Sequence, residues 1–354
     1  MPNITDNPYK ELIDADVLNL KESLAPEFNK FRALQRSGAE KLGGVCAGGG
    51  GKGWYDVGVT EFLYDIGFID LYLTRADNGM PAGELFGTSF GALWAAALAR
   101  AGADKAKFQE AFFYIKSNES VYKGKIDMPN ILWTGATNGP ALLDNTPLKN
   151  RLIELFGERG RFSDQLIPAR VTAFCIADDN DTKMTHDIVT LKGDDIAWIS
   201  ALASASIPGA FRPVLYKGML LIDGGVAAND PILYACENGC TRIAVLYCSP
   251  DTANNSTSKM KGVRDVLGDL PQGAMDAFEK YIHKGALAHL KLQTALGQRP
   301  ASILTNEPGF DTLSALEFAA NRWLRERGYR DAKKKFTREV ILNMLFGPGG
   351  MVSL

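Results

Sequence analysis

Apolar positions near the start of the chain recur at helical spacing: Val17, Leu18, Leu20, Leu24, Phe28, Phe31 and Leu34. Asp14 or Asp16 stands where an N-cap is needed, so residues 1–42 are expected to form an N-terminal helical arm laid across a core. From Leu42 to Ala47 the pattern becomes a short apolar run, which opens into Gly48-Gly49-Gly50-Gly51-Lys52-Gly53. A helical pattern follows (Trp54, Val57, Val59, Phe62, Leu63, Ile66) and stops at Gly67. Strand, glycine loop and helix form a first α/β unit. A second runs through Glu84-Leu85-Phe86, the turn Gly87-Thr88-Ser89-Phe90-Gly91, and a small-residue helix from Ala92 to Ala101.

The alternation continues after a Gly-, Asn- and Pro-rich surface excursion over 117–146. A helix is predicted from Pro147 to Phe156, strands at Ala169 to Ile176 and Met184 to Leu191, and a helix from Asp194 to Ser204. Strand-like Leu220-Leu221-Ile222 ends at Asp223-Gly224-Gly225; a helix from Pro231 and a buried strand Ile243 to Cys248 follow. Beyond residue 251 the pattern predicts helices near 264–296, 313–327 and 331–346, with a strand at Ser302 to Thr305. The expected organisation is one α/β core over 43–250 and a mainly helical extension over 251–354 packed on it.

Composition narrows the chemistry. Lys+Arg 39 against Asp+Glu 41 leaves a net charge of -2, so no global field points to nucleic acid. No run of 18 apolar residues occurs, and the first residues lack a basic segment followed by an apolar one. The chain is therefore expected to be cytoplasmic, with peripheral membrane contact or export by a specialised system left open. Five cysteines without a CxxC pair and only three histidines (His186, His283, His289) argue against a metal site, and no cofactor is expected.

Three segments carry candidate chemistry. The glycine loop is open to several readings. A Walker A loop fails at both ends, since Cys46 and Gly53 occupy the required Gly and Ser/Thr positions. A dinucleotide fingerprint fits Gly48-x-Gly50-x-x-Gly53 with Asp70 as ribose partner, but so glycine-rich a run fits almost any spacing. An oxyanion hole, in which backbone N–H groups face a tetrahedral intermediate, and a plain packing turn are the other two. Gly87 to Gly91 is GxSxG between strand and helix, where small residues flank a strained serine; a glycine-rich helix start is the bland alternative. Asp223 arrives at a strand end. A carboxylate of ordinary pKa, ~3.9, is a poor base for a hydroxyl, so Asp223 serves only if burial raises it beside Ser89. Otherwise it is an Asp-Gly turn.

Taken in order, these three segments resemble the patatin-like phospholipase family, whose marks are a glycine loop, a GxSxG elbow and a DG[GA] aspartate. Leu142 to Leu148, Ala203 to Val214 and Asn229-Asp230-Pro231 are similar to the family's connecting segments, so the resemblance covers about residues 43–250. It implies a three-layer α/β/α fold with a mostly parallel sheet, and a lipid acyl hydrolase cleaving phospholipid or other acyl-ester substrates. It further implies Ser89 as nucleophile, Asp223 as base, and the Gly49, Gly50 and Gly51 amides as oxyanion hole, framed by Gly48, Gly53, Gly87, Gly91, Gly224 and Gly225. Lys52 takes the family's basic loop position, either neutralising a lipid phosphate or standing solvated.

Two other functions compete. An α/β-hydrolase would need His283 or His289 to complete a triad, although both fall in a helical pattern where packing or surface roles are commoner. A non-catalytic nucleotide-binding protein would use the glycine loop alone. Separately, Lys333-Lys334-Lys335 and Arg338 beside Phe336, Val340, Ile341, Met344 and Leu345 suit either a membrane-surface helix or one docked on the core.

Overall fold

The computed structural model describes residues 14–124, 141–178, 187–248, 301–306, 316, 318, 321–348 and 350–353. The arm is helix α1, Ala15–Arg36, with the Asp14 side chain accepting from the Asp16 and Val17 amides as N-cap. Its buried stripe is Val17, Leu24, Phe28, Phe31 and Gln35. Leu18 (52% exposed) and Leu34 (36%) fall off that stripe, because they lie about 100° around the helix from Val17 and Gln35. Gln35 Nε2 donates to the Leu71 and Ala82 carbonyls (3.0 and 2.9 Å), tying the arm to the segment that leads into the sheet.

The strands are β1 (Leu42–Cys46), β2 (Gly83–Thr88), β3 (Ala169–Asp178), β4 (Asp187–Lys192), β5 (Val214–Tyr216), β6 (Met219–Asp223), β7 (Arg242–Leu246), β8 (Ser302–Asn306) and β9 (Gly350–Ser353). They form one sheet in the order β5-β6-β3-β2-β1-β7-β8-β9, with β4 paired to β3. Pairings from β3 through β2, β1, β7 and β8 to β9 are parallel; β3–β4, β3–β6 and β5–β6 are antiparallel. Side chains alternate across it with the strand period of two. Leu85, Ala244, Leu246 and Leu304 enter the larger core, whereas Val45, Phe86, Ile243, Val245 and Ile303 enter a second core on the other face. Helices α2 (Trp54–Asp65), α3 (Phe90–Ala101), α4 (Lys105–Phe113), α5 (Thr146–Phe156) and α6 (Ala197–Ser204) contribute to the first. Helix α7 (Ile232–Glu237) covers the second. The result is a three-layer α/β/α fold with a mostly parallel sheet.

One feature of the register positions the site. Residues 170–172 of β3 pair with β2 on one edge and β4 on the other, while 173–175 pair with β6 and again with β4. Strands β2 and β6 therefore share the same edge of β3, running toward each other. Thr88, the last residue of β2, is opposite Thr172, and Asp223, the last of β6, is opposite Ala173. The two strands meet end to end. A catalytic residue is expected at the carboxyl end of a parallel strand, whereas Asp223 reaches this point on an antiparallel one.

The C-terminal part supplies strands as well as helices. Asn321–Lys335 (α8) and Arg338–Phe346 (α9) replace the predicted helices over 313–327 and 331–346; the boundary falls at Phe336-Thr337, where Thr337 caps α9 by accepting from Val340 N–H. Phe336, Ile341, Met344 and Leu345 are buried, while Arg338 pairs with Glu27 at 3.0 Å and Lys333 with Asp14. The apolar side of this segment is thus spent on docking against the core rather than offered to a membrane surface. Among the described residues no helix is long and apolar enough to cross a membrane. The predicted helix over 264–296, and His186, His283 and His289, lie outside the described residues.

Helix α8 crosses α2 at close range. A methyl group on Gly58 would stand 1.9 Å from the Arg325 carbonyl oxygen, and one on Gly328 2.0 Å from that of Tyr55. The contact also buries Glu61, which accepts from Arg325 Nε (2.7 Å) and Gln109 Nε2 (2.6 Å). Burying a carboxylate is tolerable only with such partners. Gly58→Ala and Gly328→Ala must push the helices apart, and each is expected to cost about 1–3 kcal/mol in urea unfolding. Full retention of the unfolding midpoint would show that the crossing is not close-packed.

Candidate active site

Ser89 sits between β2 and α3 with φ 55° and ψ -121°, a left-handed conformation rare for a residue with a side chain. Its flanking glycines are sterically required. A methyl group on Gly87 would lie 2.0 Å from the Gly91 carbonyl oxygen, and one on Gly91 2.0 Å from that of Cys46. The turn is held by side chains from other elements. Ser89 N–H donates to Ser204 Oγ (3.0 Å), whose hydroxyl donates to the Thr172 carbonyl (2.5 Å). Thr88 Oγ1 is hydrogen-bonded to Thr172 Oγ1 and donates to the Ala228 carbonyl (2.9 Å). The N-terminal end of α3 points at Ser89, where its dipole favours negative charge.

Asp223 is 4% exposed and Ser89 7%. The carboxylate Oδ1 accepts from Gly225 N–H at 2.7 Å; Oδ2 is buried and makes no hydrogen bond of full geometry. Burial pushes the Asp223 pKa up to about 7, against the opposing pull of the Ser89 hydroxyl and the Gly225 amide. Ser89, one residue past Thr88, and Asp223 thus end two strands that stand opposite consecutive residues of β3. The backbone of Asp223 is fixed by its N–H donating to the Ser206 carbonyl (2.9 Å). Gly224 presses on β3, where a methyl group would lie 2.3 Å from the Thr172 carbonyl oxygen.

The glycine loop folds into a 3-10 turn, Gly50–Gly53, directly after β1. Gly48 N–H donates to the Asn229 carbonyl (3.1 Å), and Asn229 Nδ2 donates back to the Gly48 carbonyl (3.3 Å). Gly49 precedes this turn, and Gly50 and Gly51 open it and are buried. Substituents would strike neighbours here too. A methyl group on Gly48 would sit 2.3 Å from Asn229 Oδ1 and 3.0 Å from Ser89 Cβ, and one on Gly53 1.9 Å from the Phe90 ring. A methyl on Gly49 would meet Cys248 Sγ at 1.9 Å. Cys46 Sγ donates to Asp56 Oδ2 (3.6 Å), and burial holds the Asp56 carboxyl well above the usual range. Lys52 is half-buried in the same turn.

Ser89, Asp223, the glycine loop and the flanking glycines are therefore brought to one place. Asp70 is not: it lies in the 3-10 turn Ile69–Leu73, 49% exposed and 3.9 Å from Arg32. That removes the ribose contact required by a dinucleotide reading. Ser204, Thr172 and Asn229 were not singled out from the pattern. Ser204 and Asn229 fell within segments similar to the family's connecting stretches, with no role attached, and Thr172 within a strand-like run. Among the described residues no group of His, Cys, Asp and Glu is arranged to hold a metal.

The chain is similar to several known proteins. The curated relatives include the Lysophospholipase NTE1 of Lodderomyces elongisporus, 24% identical over 204 residues covering 58% of this chain. The Debaryomyces hansenii Lysophospholipase NTE1 is 24% identical over 216 residues, 61% of this chain. The chain spans 12% of the length of either relative. VipD from Legionella pneumophila, a solved structure, aligns over 86% of this chain and 67% of its own with 14% identity and a TM-score of 0.39. The family model described as Patatin-like phospholipase matches residues 44–236, more than half of the chain, and spans the glycine loop, the elbow and the aspartate. The chain belongs to the patatin-like phospholipase family.

Proposed function

We propose that the protein is a lipid acyl hydrolase of phospholipase A or lysophospholipase type, cleaving carboxylic esters through a Ser89–Asp223 dyad. The observation that carries this reading is the buried Asp223 carboxylate, raised to about 7, beside a strained Ser89. A base works best when its pKa lies near the working pH. Asp223 takes the Ser89 proton as Oγ attacks the ester carbonyl carbon. The Gly49, Gly50 and Gly51 amides receive the negative charge on the carbonyl oxygen. As the tetrahedral adduct collapses, the ester C–O bond breaks and the departing alcohol takes the proton from Asp223. Water then gives a proton to Asp223 and attacks the acyl carbon; the acyl–Oγ bond breaks, Asp223 returns the proton to Ser89 Oγ, and the fatty acid leaves. Lys52, in the turn that carries these amides, is assigned to the phosphate of the lipid. The lysophospholipase names of the curated relatives support the substrate class.

Incubation with lysophosphatidylcholine and diacyl phospholipids, followed by identification of released fatty acid, tests the activity. Ser89→Ala and Asp223→Asn are each expected to lower turnover about 1,000-fold or more. The double variant His283→Ala/His289→Ala is expected to keep it; loss of acyl-serine formation there would favour a histidine triad instead. A fully active Asp223→Asn enzyme would sink the dyad.

The pH dependence follows from the same carboxyl. Asp223 must be ionised to act as base, so kcat/KM is expected to rise with pH, inflect near 7 and level off above. Stability runs the other way. The folded protein holds this proton more tightly than the unfolded chain, so the contribution is fully present below the unfolded carboxyl's pKa of 3.8 and is lost as pH rises through about 7. Asp223→Asn is therefore expected to melt higher than wild type at pH 8, to keep only a minor part of that advantage at pH 5, and to lose it below the ordinary carboxylate pKa. A flat activity profile between pH 5 and 8 would contradict the assignment.

A further inference from the structure

Both proposed catalytic residues are tied to one short stretch of chain. At the end of α6, Ser204 Oγ accepts the Ser89 N–H at 3.0 Å and donates to the Thr172 carbonyl at 2.5 Å. Two residues on, the Ser206 carbonyl accepts the Asp223 N–H at 2.9 Å. Ser204 and Ser206 are both fully buried. Thr172 is the β3 residue opposite Thr88, and its neighbour Ala173 is opposite Asp223. The α6 end therefore reaches the junction where β2 and β6 meet and grips the last turn of each.

That grip answers a mechanical need. No residue of the β3 ladder holds the backbone N–H of Ser89, which has left β2 for a left-handed conformation. A buried N–H without a partner is costly, and a strained residue persists only where its surroundings over-determine it. Ser204 supplies the bond through a side chain short enough to be rigid once it also donates to Thr172. The Ser206 hydroxyl, by contrast, donates within its own segment to the Leu202 carbonyl (2.7 Å), leaving its own carbonyl to hold Asp223.

We propose that the end of α6 is the spacer of the dyad: the Ser204 side chain fixes Ser89 and the Ser206 carbonyl fixes Asp223, so one helix end sets the separation of nucleophile and base. Ser204 is on this view a positioning residue, acting through Ser89 without touching substrate. The inference rests on the hydrolase reading above.

The test compares Ser204→Ala with Ser200→Ala in the full chain. Ser200 is buried on the same helix and makes the same type of bond, donating to the Ile196 carbonyl at 2.8 Å, but reaches neither Ser89 nor Asp223. Ser200→Ala loses one buried hydrogen bond, whereas Ser204→Ala loses two and leaves the Ser89 N–H unpartnered, so the thermal unfolding midpoint should fall further in Ser204→Ala. Hydrolysis of lysophosphatidylcholine and covalent labelling of Ser89 by a fluorophosphonate are then measured well below those midpoints. Ser204→Ala is expected to lower kcat about 10- to 100-fold with KM within about twofold, and to slow labelling in parallel. Ser200→Ala is expected to match wild type in both.

Wild-type rates in a folded Ser204→Ala protein would overturn the spacer, as would an equal fall in Ser200→Ala. If Ser204→Ala does not fold, Ser204→Cys takes its place, since a thiol is a weaker partner; an intermediate rate supports the proposal and a wild-type rate overturns it. A wild-type protein that neither hydrolyses the lipid nor labels at Ser89 would overturn the hydrolase reading itself, and the spacer with it.

Discussion

The structure turns on the meeting of β2 and β6 along a single edge of β3. Strand pairing fixes the position of each strand end to within a residue, and here two such ends face each other at consecutive positions, Thr172 and Ala173. The site is built outward from that junction. Ser89 is the first residue past one strand and Asp223 the last of the other, so register brings the two strand ends together, and the turn beyond β2 is left to be held by other elements. A one-residue slip of β6 would turn the carboxylate to the opposite face of the sheet.

Tight packing at the junction serves two purposes at once. It excludes water from Asp223, which raises the carboxyl toward neutrality, and it leaves no room for a side chain at five of the surrounding positions. The glycines at 48, 53, 87, 91 and 224 each face a backbone carbonyl, a ring or a side chain within 2.3 Å of where a Cβ would stand. A junction with room for alanines would also have room for water, and a solvated Asp223 would return toward an ordinary carboxylate pKa. The glycine requirement and the electrostatics are thus two expressions of one dense contact.

Much of this was legible in the residues. The glycine loop, the GxSxG turn and the Asp-Gly-Gly each stand at the end of a strand read from apolar runs, and the structure places all three together. The direction of β6 was not legible, because alternation of apolar residues is the same for parallel and antiparallel pairing. Nor were Ser204 and Asn229, whose importance comes from reaching across more than a hundred residues of chain to Ser89 and Gly48. In the arm, the helical stripe was visible but two of its leucines were misplaced, since Leu18 and Leu34 differ from buried positions by a rotation that spacing alone does not resolve. The docking of residues 336–345 against the core likewise depends on what lies opposite them, and a basic amphipathic pattern is equally consistent with lipid.

The crossing of α8 on α2 bears on where this protein can be divided. The family match ends at residue 236, before β7, β8 and α8 have been made. Yet Tyr329 meets Phe62 edge to face, Phe336 packs tilted against it, and α8 presses its backbone onto Tyr55, one residue into the helix that follows the glycine loop. A fragment cut at the family boundaries would leave that helix with one face bare and the sheet ending at β1. The stretch that the family model matches is therefore smaller than the packed unit, and in this chain α8 is as much a part of the layer around α2 as the residues that follow the glycine loop.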